Sequence, residues 1–405
     1  MDRHAGFGCS MSRILMVTKW LPMPANDGGK LRALAVLRGL AERGEVVLFG
    51  FDDGDVDYDG LRDLGVEVHG ERRPESSIST LGAIGRTGSL SGARFYSPAL
   101  HARLRESAAS GPVDALVVEY LQMSSYSQGI DAQTTILDLH NVESSLVETF
   151  ARVRGGLIGR LARVEVALLR RQERVAMHRY GTVAVVSATD RTRLPGGTAQ
   201  VVICPNGCDD RDALPRSDSQ VAVFIALMGW TPNADAATWL ATDVWPLVVA
   251  QLPGAILQLV GRDPSPVVRA LAGPGVKVTG TVPQILPYLK GAAVALAPLR
   301  MGGGSRLKVL EALSSGRPVV ATSVGVEGLE DLVGHGVVVG DSPAELARGI
   351  VDLLSDPMRA EELGAAGRSA VRQRYLWDVT LSGLLDRAAP PPARPDPTSP
   401  PDPTR

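Results

Sequence analysis

A chain of 405 residues, 44% hydrophobic and 21% charged, has the makeup of a globular protein with more than one core. Its formal net charge of −2 gives no electrostatic reason to expect nucleic acid or an anionic membrane as a partner. Three cysteines are too few for a disulfide framework, and no apolar run approaches the ~18 residues that span a bilayer, so a cytoplasmic protein is expected.

Residues 1–12 are expected to be a disordered N-terminus. Short apolar runs then alternate with helical patterns, which is the signature of βαβ units and a parallel sheet. Strands are expected at 14–17, 46–49, 115–118, 135–139 and 183–186. Between the first two lies Asn26-Asp27-Gly28-Gly29, a turn opening a helix near Leu31. Asp53-Gly54-Asp55 has the form of an Asp-x-Asp metal motif but sits in a long acidic surface loop, and reads as that loop. Residues 151–180 form a long helical pattern rich in arginine; Glu165 and Glu173 interrupt its basic face, which favours a solvated surface over a membrane-binding one. Cys204 and Cys208 flank a Pro-Asn-Gly turn with no completing zinc ligands, and read as small buried thiols.

A polar linker at 208–219 separates this series from a second one, with strands at 221–226, 256–260, 276–279, 294–297 and 318–321. The expected organisation is an α/β fold of two Rossmann-like, doubly wound domains, 13–207 and 220–375, facing a central cleft. A terminal helix at 376–388 should pack back on the first domain, and 389–405, nearly half proline, should be an extended tail.

The segment 301–322 carries the clearest chemistry. Gly302, Gly303 and Gly304 lead past Ser305 into a short helix carrying Arg306, Leu307, Lys308 and Glu311, which Gly316 and Pro318 terminate. A glycine run before a helix lets backbone N–H groups approach an anion, and the helix start adds about half a positive charge. A carboxylate one and a half turns further in can accept hydrogen bonds from a ribose diol. Diphosphate at the helix start and ribose at Glu311 describe a nucleotide-sugar pocket. The plainer alternative is a glycine loop entering an ordinary helix, with Lys308 and Glu311 as an i,i+3 ion pair.

From Arg13 to about Ala388 the chain resembles the retaining family-4 glycosyltransferases of the GT-B fold. The resemblance rests on Asn26-Asp27-Gly28-Gly29, on Leu137-Asp138-Leu139-His140-Asn141, on Val185-Val186-Ser187 with Cys204-Pro205-Asn206-Gly207, and on Leu259-Val260-Gly261, Val278-Thr279-Gly280-Thr281-Val282 and the 301–322 segment, in the family's order. It implies a donor site at Gly28, Gly29, Gly280, Thr281, Val282, Gly303, Gly304, Ser305, Leu307 and Glu311, with His140, Arg306 and Lys308 in catalysis. It further implies a metal-independent, cofactor-free reaction in which a donor phosphate oxygen takes the acceptor proton. Two departures stand out. Gly303 occupies the place of the first of the family's paired glutamates, and Gly229-Trp230-Thr231-Pro232-Asn233 lacks the basic pair that serves the diphosphate. Arg306 and Lys308 are the candidate replacements. On a regular helix the two would point about 200° apart, so both can reach one diphosphate only if Arg306 lies in the non-helical entry; otherwise one of them, Lys308 being favoured, turns to Glu311.

His140 ends a strand on the face of Ile136 and Asp138, so it should reach the crevice, the alternative being a histidine satisfied within the core; Asp138 reads as a buried structural carboxylate. The role of Lys30 is open between added charge and solvation. Retaining glycosyl transfer from a UDP- or GDP-sugar is the expected activity. A nucleotide-sugar epimerase or hydrolase of the same architecture and a non-catalytic nucleotide-sugar-binding protein are its rivals. A nicotinamide-dependent dehydrogenase is disfavoured because no Gly-x-Gly-x-x-Gly follows the first strand. The acceptor, expected to be read by loops at 51–96 and 122–132, is open among glycan, lipid-linked and small-molecule classes.

Overall fold

The computed structural model describes residues 11–73, 77–153, 156–301 and 306–390. The first half forms a seven-stranded parallel sheet from β1 (Ser12–Trp20), β2 (Gly44–Asp52), β3 (Glu67–Arg72), β4 (Ala115–Glu119), β5 (Thr134–Leu139), β6 (Thr182–Val185) and β7 (Gln200–Ile203), in the order β3-β2-β1-β4-β5-β6-β7. The second half forms a six-stranded parallel sheet from β8 (Val221–Ile225), β9 (Ile256–Val260), β10 (Val276–Gly280), β11 (Val294–Ala297), β12 (Val319–Ala321) and β13 (Val337–Val339), ordered β10-β9-β8-β11-β12-β13.

The inner strands read as unbroken apolar runs because helices cover both faces of each sheet. Along β1, Ile14 and Met16 join one buried cluster while Leu15 and Val17 join the other. In both sheets the strand order reverses beside the first strand, between β1 and β4 and between β8 and β11. Those are the switch points at which ligands of open α/β sheets bind, outside the carboxyl ends of the strands. Three strands were not anticipated, β3, β7 and β13, and all three lie at sheet edges. An edge strand buries less of itself: β3, with Glu67, His69, Glu71 and Arg72, has no apolar run to recognise.

Strand β1 begins at Ser12, inside the segment expected to be disordered, where it pairs with Gly44; residues 1–10 lie outside the described residues. The 208–219 segment is bound along the second half. Cys208 N–H donates to Tyr375 O at 2.8 Å, Leu214 N–H to Ser315 O at 3.0 Å, and Arg317 to Pro215 O at 2.7 Å. Leu384 and Leu385 of the Ser382–Ala388 helix pack in the same cluster as Ile14 and Leu37, and Arg43 pairs with Asp386 at 2.7 Å. Ala389, expected to open the tail, is instead fully buried and its carbonyl accepts from Arg43 at 3.1 Å; residues 391–405 lie outside the described residues.

Candidate active site

Asp27 caps the Gly28–Ala41 helix by accepting the Lys30 N–H at 2.9 Å. The turn ahead of that helix lies against both halves of the chain. A Cβ added at Gly28 would stand 2.9 Å from Leu307 Cδ1 in the second half, and one at Gly29 would overlap the Tyr120 hydroxyl in the first. Glycine is required here for close approach, since neither carries a positive φ. Lys30 is buried and its ammonium pairs with Asp53 at 2.7 Å, so it neither faces solvent nor points at the cleft. That pair also occupies the Asp-x-Asp look-alike as a structural partner.

Two residues along the same helix, Arg32 is fully buried. Its guanidinium grips both oxygens of Asp138 at 2.7 Å and reaches Pro205 O and Asn206 Oδ1 at 3.2 Å. One buried, bidentate pair thus ties the first helix to β5 and to the turn before the linker, and Asp138 is structural. At the end of β5, His140 is 9% exposed, and its Nε2 lies 2.5 Å from Glu119 Oε2 at the end of β4. Burial pushes the Glu119 carboxyl up to about 7 and the His140 imidazole down to about 3. His140 is therefore neutral at working pH, and the proton it shares with Glu119 decides which ring nitrogen donates.

Tyr120 stacks on the His140 ring with centroids 3.8 Å apart, and Lys19 lies 4.3 Å from the Tyr120 centroid. The backbone of Tyr120 has φ 71° and ψ 143°, a region otherwise kept for glycine, so packing holds it against local preference. Ligand atoms of Glu119, Asp138 and His140 lie within 4.8 Å of one another, a set that could hold a metal ion. Arg32 already sets a fixed positive charge on both oxygens of Asp138, so the set does not fit a second cation.

Across the cleft, Gly303, Gly304 and Ser305 lie outside the described residues. Arg306 is the non-helical cap before the Leu307–Ser314 helix, as reaching a common diphosphate with Lys308 would require. Its guanidinium donates to Val324 O at 3.1 and 3.2 Å and lies 3.8 Å from Glu327. Glu327 in turn meets Arg193 of the first half at 2.9 Å. Lys308 does not turn to Glu311 for its hydrogen bond, against the plainer alternative of an i,i+3 ion pair. Its ammonium donates to Asn233 Oδ1 at 2.9 Å and stands 4.7 Å from the Phe224 ring centroid. Asn233 lies in the first turn of the Thr231–Trp239 helix, in the segment that lacks the basic pair. Burial and the neighbouring Arg306 bring the Lys308 ammonium down to about 7.

Glu311 is held instead by Arg211 from the linker, Nη2 to Oε1 at 2.8 Å. Burial raises the Glu311 carboxyl and Arg211 opposes the rise. Gly280 ends β10 with φ 72° and open space beside it, and Thr281 is exposed with Val282 half-buried, at the sheet edge two strands from β8. Cys204 and Cys208 are buried free thiols, pushed up by burial to about 11 and about 12.

Sequence reasoning passed over Glu119, Tyr120, Lys19, Arg32, Arg211 and Glu327. A carboxylate directly ending the apolar run 115–118 was a readable signal for Glu119. Nothing local marks Arg211, whose partner lies 100 residues on.

Residues 219–356 match the family model described as "Glycosyl transferases group 1". The chain is 28% identical to a phosphatidyl-myo-inositol mannosyltransferase of Mycobacterium leprae, over 72% of this chain and 77% of the relative. It is 33% identical to a GDP-mannose-dependent alpha-(1-6)-phosphatidylinositol monomannoside mannosyltransferase of Mycobacterium tuberculosis, over 35% of this chain and 41% of the relative. Among solved structures, sucrose-phosphate synthase of Thermosynechococcus elongatus superposes with a TM-score of 0.68 at 18% identity, covering 93% of this chain and 98% of that one. The two facing sheets, the motif order and these likenesses agree on a nucleotide-sugar-dependent glycosyltransferase with a GT-B-like fold, whose residues 219–356 match the group 1 (family 4) glycosyltransferases.

Proposed function

We propose that the protein moves a hexosyl group, with retention of anomeric configuration, from a nucleoside diphosphate sugar to a hydroxyl of a phosphate-bearing polyol, free or lipid-linked. The observation that carries the donor side is the pair of side chains on one helix: Lys308, brought to Asn233 at a second helix start, and Glu311, oriented by Arg211. In this reading the ammonium and the two helix starts bind the diphosphate, and Glu311 accepts the ribose hydroxyls. Backbone amides of Gly303, Gly304, Ser305 and Leu307 assist, Arg306 adds charge, and Gly280, Thr281 and Val282 meet the base. Gly28 and Gly29 face the donor phosphate and the acceptor, and His140 sits at the reacting sugar.

The anomeric carbon–phosphate oxygen bond breaks while a bond to the acceptor oxygen forms on the same face, and the acceptor proton passes to the departing diphosphate. Charge gathers on that diphosphate, so preorganised cations and amides do most of the work. No metal or cofactor is assigned a part.

For the acceptor, support comes from the rim beside β1 and β3. Lys19 lies 5.5 Å from the Phe95 ring centroid, and the Arg73 guanidinium lies 5.6 Å from Phe95 and 5.9 Å from Trp20. Aromatic walls carrying fixed cations suit a ring-shaped polyol with an anionic group. The two mannosyltransferase relatives are named for inositol-phospholipid acceptors, and one for GDP-mannose, which makes GDP-mannose the first donor to test. The experiment offers GDP- and UDP-hexoses with myo-inositol, inositol phosphate and phosphatidylinositol, following product and anomer by NMR. Transfer to the phosphorylated acceptors and not to myo-inositol is expected. Equal use of neutral myo-inositol would overturn the acceptor reading, and release of free sugar or epimer regardless of acceptor would overturn transfer itself.

A further inference from the structure

The Gly156–Arg179 helix carries a surface that the glycosyl-transfer site does not use. Its inward side is apolar: Leu169, Ala176 and Met177 pack in the cluster beneath β1, β4 and β5. Glu165 and Glu173 interrupt the basic pattern in the sequence, yet both turn inward and are 8% and 2% exposed. Glu165 accepts the N–H groups of Leu90 and Ser91 at 3.0 and 2.8 Å, at the start of the Leu90–Arg94 helix. Glu173 accepts the Ser144 N–H at 3.0 Å and its hydroxyl at 2.7 Å, at the start of the Glu143–Val153 helix. Both carboxylates are spent as helix caps.

What remains outside is one-signed. Arg160, Arg163, Arg170, Arg171, Arg174 and Arg179 are exposed, and the helix exposes no carboxylate among its described residues. Between the arginines stand Leu161, Val164 and Val175, at 62%, 57% and 43% exposure. From Arg160 to Arg179 the face runs ~29 Å at 1.5 Å per residue. In a chain of net charge −2 this is a segregated basic strip. Glu148 on the preceding helix pairs with Arg170 at 2.9 Å and offsets that one arginine.

We infer that the exposed face of the Gly156–Arg179 helix docks on an anionic lipid bilayer. Guanidinium groups suit headgroup phosphates, and the aliphatic side chains between them suit the acyl boundary just below. A nucleic-acid backbone would use the arginines and leave the aliphatic groups idle, since strand binders pair basic grooves with aromatic stacking platforms. The inference goes beyond the acceptor reading and does not rest on it, because docking is measured without donor or acceptor.

The test is co-sedimentation of the full chain with vesicles of phosphatidylcholine alone or with about one-third phosphatidylglycerol, at several salt concentrations. Salt-sensitive binding to the anionic vesicles is expected. Each exposed arginine contributes roughly fivefold to such partitioning, so the Arg163→Gln, Arg171→Gln, Arg174→Gln triple variant should bind ~100-fold less tightly. Leu161→Ser with Val164→Ser should also weaken binding, by a route that salt does not mimic. Thermal melting and nucleotide affinity should be unchanged in both, which separates loss of docking from loss of fold. Equal binding to neutral vesicles, undiminished binding of the triple variant, or indifference to the aliphatic pair with capture by duplex DNA at the same salt would each overturn the inference.

Discussion

Arg211 offers the sharpest test of the donor site, because it comes from the linker and not from the helix it serves. Its Nη2 lies 2.8 Å from Glu311 Oε1, with the two side chains 27% and 19% exposed. Exposed pairs are worth about 0–1 kcal/mol, and breaking a fully buried one costs about 3–5 kcal/mol. At this intermediate burial Arg211→Ala should cost ~1–2 kcal/mol of nucleotide affinity, roughly 5- to 30-fold in Kd. The variant also loses the influence that opposes the rise of the Glu311 carboxyl. A carboxyl titrating at higher pH is protonated over more of the acid range, so the penalty should be larger at pH 6 than at pH 8. Isothermal titration of the nucleoside diphosphate is the assay, on wild type, Arg211→Ala, Glu311→Gln and the double variant. If Arg211 acts through Glu311, the double variant should bind no worse than Glu311→Gln. Arg211→Lys should recover part of the loss. Additive losses would refute the coupling, whereas an inert Glu311→Gln would refute the ribose assignment itself.

Other outcomes follow from the same geometry. Lys308 titrates at about 7, and only its ammonium form attracts a diphosphate, so nucleotide affinity should fall as pH rises above 7 and this fall should vanish in Lys308→Met; a pH-independent wild-type Kd would argue against the contact. His140→Ala should reduce kcat at least 100-fold with donor Kd within about threefold, and in the Lys308→Met background Glu119→Gln should abolish the ionisation near pH 7 that remains in kcat/KM, because Glu119 titrates at about 7 and His140 does not. A destabilised, aggregating His140→Ala protein would instead mark a core histidine. Gly29→Ala should displace the Tyr120 ring, which His140 and Lys19 hold on its faces, and lower turnover at least tenfold; unchanged kcat would show that the ring's position does not matter.

The chain's own order of apolar runs and punctuation determined the architecture. Strands buried on both faces must be apolar along their whole length, and a parallel sheet needs a helix between successive strands, so β1, β2, β4 and the inner strands of the second half are legible without any tertiary information. Edge strands β3, β7 and β13 escape that logic because one flank needs no partner. Local chemistry also marked Gly28, Gly29, His140, Lys308 and Glu311, since a turn, a strand end and a helix start are sequence-local features. What each of these residues touches was decided only in three dimensions. Lys308 and Glu311 share a helix and invite an i,i+3 pair, yet one turns to Asn233, 75 residues earlier, and the other to Arg211, 100 residues earlier. Arg32 meets Asp138 across 106 residues, and Glu165 and Glu173 leave the surface to cap helices elsewhere. The physical reason is common to all of them: a buried or half-buried charge takes the partner that desolvation and geometry make most favourable, and packing of the two sheets, not spacing along the chain, sets which partner is within reach.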